Sequence, residues 1–141
     1  MEDNLDSFIN SALEENYSSL CTECIKEFKR LYQESKAVPV PGDMVKVDFK
    51  PQGHEGECIW MDLTRNEESE GPWFGTLANI PEPGTMPGSY TLGTEVSFNP
   101  KDIMMHIPAG TEPKEGAKII YEVTAQVSKR HGEEDHGQTE G

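Results

Sequence analysis

Residues 57–65, ECIWMDLTR, and residues 73–107, WFGTLANIPEPGTMPGSYTLGTEVSFNPKDIMMHI, decide the fold. Ile59, Met61 and Leu63 alternate with Trp60 and Asp62, the period of a strand with one buried face. The charged stretch from Asn66 to Gly71 reads as a hairpin-like connection, and the extended pattern resumes from Trp73 to Asn79. A long Pro/Gly loop, Ile80 to Tyr90, comes next. Val96 then alternates with Phe98, and Ile103, Met105 and Ile107 close the run. These are roughly four or five short strands divided by turn residues.

Upstream, Val45, Val47 and Phe49 lie on one face of a strand over Met44–Lys50, with Lys46 and Asp48 on the other. Pro51–Gly56 turns that strand into the one holding Trp60. Val38-Pro39-Val40-Pro41-Gly42 is a short, stiff connector, because each proline fixes its own φ and forces the preceding residue to be extended. Before it, Leu5, Phe8, Ile9, Ala12 and Leu13 share a helical face, and Leu20, Cys24, Ile25, Phe28, Leu31 and Tyr32 continue the stripe. Asn16–Ser19 interrupts it, which favours two helices over one.

Downstream, the turn-rich run PAGTEPKEGA leads to an expected last strand, Lys118–Ser128. Ile119, Tyr121, Val123, Ala125 and Val127 would face inward and Lys118, Glu122, Gln126 and Ser128 outward. Beyond Lys129 there is no apolar residue, so an unstructured tail is expected.

Composition narrows the function classes. A length of 141 residues suits one domain, and a hydrophobic fraction of 34% implies a modest core. With a net charge of −14 the chain would repel phosphate backbones, so no nucleic-acid partner is expected, whereas a basic protein would be attracted. No apolar run nears the ~20 residues that cross a bilayer, and no basic-then-apolar leader opens the chain, so no membrane partner is expected. Three cysteines are too few and odd in number for a disulfide framework, which points to the cytoplasm.

With the strands placed, the order of motifs resembles the YegJ-like family of bacterial domains, whose function is unknown. The residues that carry the likeness are Phe28 in a helix, Val45-Lys46-Val47-Asp48-Phe49, Glu57-Cys58-Ile59-Trp60-Met61 and Gly75-Thr76-Leu77-Ala78-Asn79-Ile80-Pro81. Gly93-Thr94-Glu95-Val96 and Lys101-Asp102-Ile103 follow, so the match spans residues 20–107. The loop after Pro81 is longer than the family's, the usual Asp-Trp after Ile103 is missing, and the segment from Lys118 is additional. The resemblance implies a soluble bacterial protein and supports the fold; it brings no reaction.

Several constellations invite chemistry, and each has a plainer reading. Cys21-Thr-Glu-Cys24 has redox spacing, but no strand precedes it and Cys24 sits in the apolar stripe, which favours buried structural thiols. Only Cys58 and scattered histidines could complete a zinc site. His131-Gly-Glu-Glu-Asp-His136 could hold a divalent ion only at the entropic cost of ordering a tail, so no metal is assigned. Ser89 or Ser97 with His106 and Asp102 lack any G-x-S-x-G elbow, and His54 and His106 have no evident partner. No catalytic residue and no cofactor is expected.

The fold expected is α+β: an N-terminal helix or helix pair (residues 1–36) packed on a strongly bent antiparallel sheet or small open β-barrel (43–128) of about six strands, with an acidic, histidine-bearing tail (129–141). The function expected is a non-catalytic interaction module, of inhibitor or immunity type, for a basic partner. Its surface would comprise Trp60, Trp73, Phe74, Asn79, Glu82, Met86, Tyr90 and Glu95, around the long loop. If Trp60 instead packs under the helices, that surface shrinks. The alternative is a small-molecule or metal-binding domain that uses a helix–sheet cleft.

Overall fold

The computed structural model describes residues 22–140, with side chains as far as Lys129. Helix α1 (Thr22–Ser35) is followed by strands β1 (Met44–Phe49), β2 (Glu57–Arg65), β3 (Trp73–Leu77) and β4 (Glu95–Phe98). A 3-10 turn (Pro100–Asp102) leads to β5 (Ile103–Ile107), and helix α2 (Pro113–Glu140) ends the chain. The first expected helix, residues 5–13, and Cys21 of the C-x-x-C pair lie outside the described residues.

Helix α1 forms where the stripe predicts it, with Phe28 as its wholly buried residue. It ends at Lys36, which takes a left-handed φ of 57° and donates its N–H to Gln33 O. Both prolines follow within a few residues and preclude another turn.

The strands make an antiparallel sheet in the order β4-β3-β2-β1-β5. β4 and β5 are opposite edges, yet only Asn99 and the 3-10 turn separate them in sequence. A flat five-stranded sheet would hold its edges roughly 19 Å apart. One extended residue and one 3-10 turn reach only about 12 Å. The sheet must therefore curl. It stays open, because β4 and β5 do not pair with each other. Register shifts at Lys46/Val47 and Leu63/Arg65 increase the local twist.

Curling gives the sheet two buried faces. The inner one gathers Val45, Val47, Ile59, Met61, Leu63, Trp73, Leu77, Val96, Phe98 and Ile103 from all five strands. On the outer face Cys58, Trp60, Met104 and Met105 meet Phe28 of α1 with Ile120 and Val127 of α2. Two glycines permit the close backbone passes. Gly56 has φ +79°, and a Cβ there would sit 2.5 Å from Phe49 O. At Gly75 a Cβ would press on Asp62 O at 3.0 Å and on Met61.

The architecture is α+β, as expected, with five strands in place of six. Lys118–Ser128, expected as a strand, lies within helix α2. Its buried apolar side chains are Ala117, Ile120 and Val127, with Val123 half-buried, a spacing of three to four that only a helix provides. Ala125 is exposed and Tyr121 keeps 43% of its surface, so the inward set read from the alternation fails at these two, while Val127 is buried and Ile119 and Val123 are half-buried. A helix-start signal was present: Pro113 occupies the first helical position and Glu115 lies in the first turn. The helical backbone runs on to Glu140, across the stretch expected to be unstructured. Extending a helix that packing has already nucleated adds one hydrogen bond for each residue fixed.

Candidate partner surface and a buried cation

The expected aromatic surface is mostly interior. Trp60 is 1% exposed beneath the helices, the very arrangement in which it cannot meet a partner. Trp73 is buried against Phe98, edge to face at 6.5 Å, and its Nε1–H donates to Glu68 O at 2.5 Å. Met86 packs in the inner core and Tyr90 stacks on Phe49 at 6.4 Å. Asn79 Oδ1 accepts from the Trp60 N–H at 3.1 Å, so it serves the sheet.

The long loop is therefore a cover on the inner core, sewn down at the start of β2. Gly56 N–H donates to Thr85 O, and the Thr85 hydroxyl and Glu82 N–H both donate to the Glu57 carboxylate. Of the expected surface residues, Glu82 and Glu95 are exposed and Phe74 is half-buried. Phe74 carries the Arg65 guanidinium 4.0 Å from its ring centre, and Glu95 accepts from Thr64 and from Arg65 at 3.3 Å.

A different surface lies beside them. Val38 and Val40 are 70% and 57% exposed, flanking a buried Pro39. The connector that holds them is fixed to β2 and to the β2–β3 connection. Asn66 Nδ2 donates to Pro39 O at 2.8 Å, Gly42 N–H to Leu63 O at 2.8 Å and Leu63 N–H to Asp43 O at 2.8 Å. Glu67, Glu68 and Glu70 of that connection are exposed and form no ion pair among the described residues. Gly71 N–H and Trp73 Nε1–H both donate to Glu68 O, which pins the acidic turn. Through the Asn66–Pro39 bond, two exposed valines are tied to a connection that carries three exposed carboxylates with no ion pair among the described residues. Sequence reading took the valines for a mere connector; the signal was the alternation of apolar side chain and proline in Val38-Pro39-Val40-Pro41.

Asp43 anchors this strap. Its buried carboxylate accepts from Val40 N–H, Ala109 N–H and the His106 imidazole, the last at 2.8 Å. Burial pushes its pKa up, but these donors outweigh that and hold it below the ordinary carboxylate value. His106, expected to have no partner, has Asp43 and the edge of Tyr32. Asp102 instead meets Lys29, which also binds Asp48 at 2.7 Å, so the serine-triad set is not assembled. Among the described residues no group of three metal-ligating side chains converges, and no helix is long and apolar enough to cross a membrane.

The outer-face core holds one charge that no spacing rule pointed to. Lys46 is 0% exposed, and its Nζ has no hydrogen-bond partner among the described residues. It lies 5.9 Å from the centre of the Trp60 ring, whose Nε1–H is also unpartnered. Burial brings the Lys46 amine down to about 8, and pushes the neighbouring Cys58 thiol up to about 11.

No protein-family model, no curated protein and no solved structure matches this chain.

Proposed function

We propose that this protein is a cytoplasmic, non-catalytic binding module that takes a basic protein segment bearing apolar side chains. The observation that carries the reading is the hydrogen bond from Asn66 to Pro39 O, which ties exposed Val38 and Val40 to the connection bearing Glu67, Glu68 and Glu70, exposed and without an ion pair among the described residues. Each valine gains about 1.5–3 kcal/mol if a partner covers it fully. The carboxylates, within a chain of net charge −14, draw cations and speed encounter. The hydrogen bonds from Asn66, Gly42 and Leu63 hold the strap in place, which lowers the entropy lost on docking. A partner held in this way could be inhibited by it, and the resemblance to the YegJ-like family agrees with a soluble bacterial setting.

The test is calorimetric titration with a cationic peptide of alternating lysine and valine, against oligolysine of equal charge. The alternating peptide should bind at least tenfold more tightly, and more weakly as salt rises. Val38→Ser with Val40→Ser should remove that advantage, and neutralising Glu67, Glu68 and Glu70 to glutamine should weaken both peptides. Equal affinity for the two peptides, or variants that bind like wild type, would reject the surface.

A further inference from the structure

Lys46 and Trp60 are cross-strand neighbours on β1 and β2, and Met105 of β5 lies opposite Lys46 on the other side. All three face the helices. The ammonium and the indole N–H are two donors, both buried and both without an acceptor among the described residues. Unpaired buried donors are costly, and a buried charge is the most costly of them. The rest of the wall is apolar: Phe28, Met104, Met105 and Ile120. The ionisable groups nearby do not answer the need. Asp48 is taken by Lys29, and Cys58 holds its proton.

We propose that this helix–sheet interface opens to bind a small apolar acid, with its carboxylate against Lys46 Nζ and Trp60 Nε1 and its chain among Phe28, Met104, Met105 and Ile120. A carboxylate supplies acceptors for both donors and cancels the buried charge, a pairing stronger than one between neutral groups. The hydrocarbon continues a wall that is already apolar. Methionines make that wall adaptable, since unbranched thioether chains repack around added volume. The protein's net charge of −14 repels anions elsewhere on its surface, so a bound carboxylate must find a particular cation. This site is separate from the valine–glutamate surface and does not depend on it.

The experiment uses the full chain and straight-chain carboxylates of six to ten carbons, each compared with the alcohol of equal length. Thermal unfolding and tryptophan fluorescence report binding. The wild type should melt higher as carboxylate is added, with the alcohol at least tenfold weaker. Trp60→Phe, which keeps an aromatic ring of smaller size and loses the N–H, should bind several-fold less tightly. Lys46→Met should bind the carboxylate no better than the alcohol while remaining folded. Calorimetry at pH 9 in two buffers should show proton uptake on binding, because the ligand restores the charge of an amine that titrates near 8. No carboxylate binding at millimolar concentration, alcohols as tight as acids, Lys46→Met unchanged in affinity, or no proton uptake would each overturn the site.

Discussion

The two faces of the curled sheet are equally hidden from water, yet they differ in what they tolerate. Inside the curl, Val45, Val47, Ile59, Met61, Leu63 and Ile103 are all at or below 1% exposed, and the buried carboxylate beside them, Asp43, is paired with Val40 N–H, Ala109 N–H and His106, the cross-strand neighbour of Val45. Outside it, Phe28, Trp60 and Ile120 are just as buried, but they enclose Lys46 and Cys58. The inner face is sealed by the sheet's own curvature and by Met86 of the long loop. The outer face is sealed by two helices laid across it. A seal made by separate elements can be lifted locally at less cost than one made by a continuous sheet. Unpartnered charge has been kept where the cover is separable.

Three substitutions would break or sharpen that contrast. The largest effect should come from Val47→Lys, which carries a charge to the inner face. An ammonium there has neither partner nor route to water, so the loss should exceed about 4 kcal/mol and abolish cooperative folding. Urea unfolding followed by circular dichroism measures this, and a cooperative transition near the wild-type midpoint would show that the inner face admits water.

Phe28→Ala should be next. Removing the only wholly buried side chain of α1 forfeits transfer energy and leaves a cavity, at about 3 kcal/mol. An unchanged denaturation midpoint would mean that the helix layer adds nothing to the outer face.

The smallest effect has the opposite sign. Lys46→Met replaces an unpaired buried charge by an apolar chain of similar length, and should stabilise the fold by about 1–3 kcal/mol at neutral pH. The pH dependence follows from the amine's pKa, 10.5 when exposed and about 8 when buried here. Below 8 both folded and unfolded chains are protonated, and the burial penalty is fully present. Between the two values the unfolded chain binds more protons, so wild-type stability climbs with pH. Lys46→Met has no such rise. The two stability curves should therefore converge from pH 8 to 10.5, and curves that stay parallel would place Lys46 in water.

Much of the sheet was legible because strand alternation is local. Val45, Val47 and Phe49 in β1, and Ile59, Met61 and Leu63 in β2, were assigned to one face and do share the inner core. The partner surface was read less well. Aromatics near a proline-rich loop look like anchors, and nothing local reveals that Trp73 donates to Glu68 or that Met86 closes a core. Val38 and Val40 alternate with prolines, but that alternation reads equally as a stiff connector, and only the fold shows that both side chains stay exposed.

By itself, the sequence determined the five strands, the turns between them and the helix through Phe28, since each follows from periodicity and from residues that restrict φ. Tertiary structure alone decided three things. It made Lys118–Ser128 helical, because β-branched residues suit a strand until α1 and β5 offer a groove that a stripe at Ile120 and Val127 fills. It buried Trp60 and Lys46, whose alternation placed them merely opposite the core. And it gave the expected bend its form, an open curl of five strands, through a connection too short to join two flat edges. All three depend on contacts between residues far apart in sequence, and a local pattern holds no record of what will be laid against it.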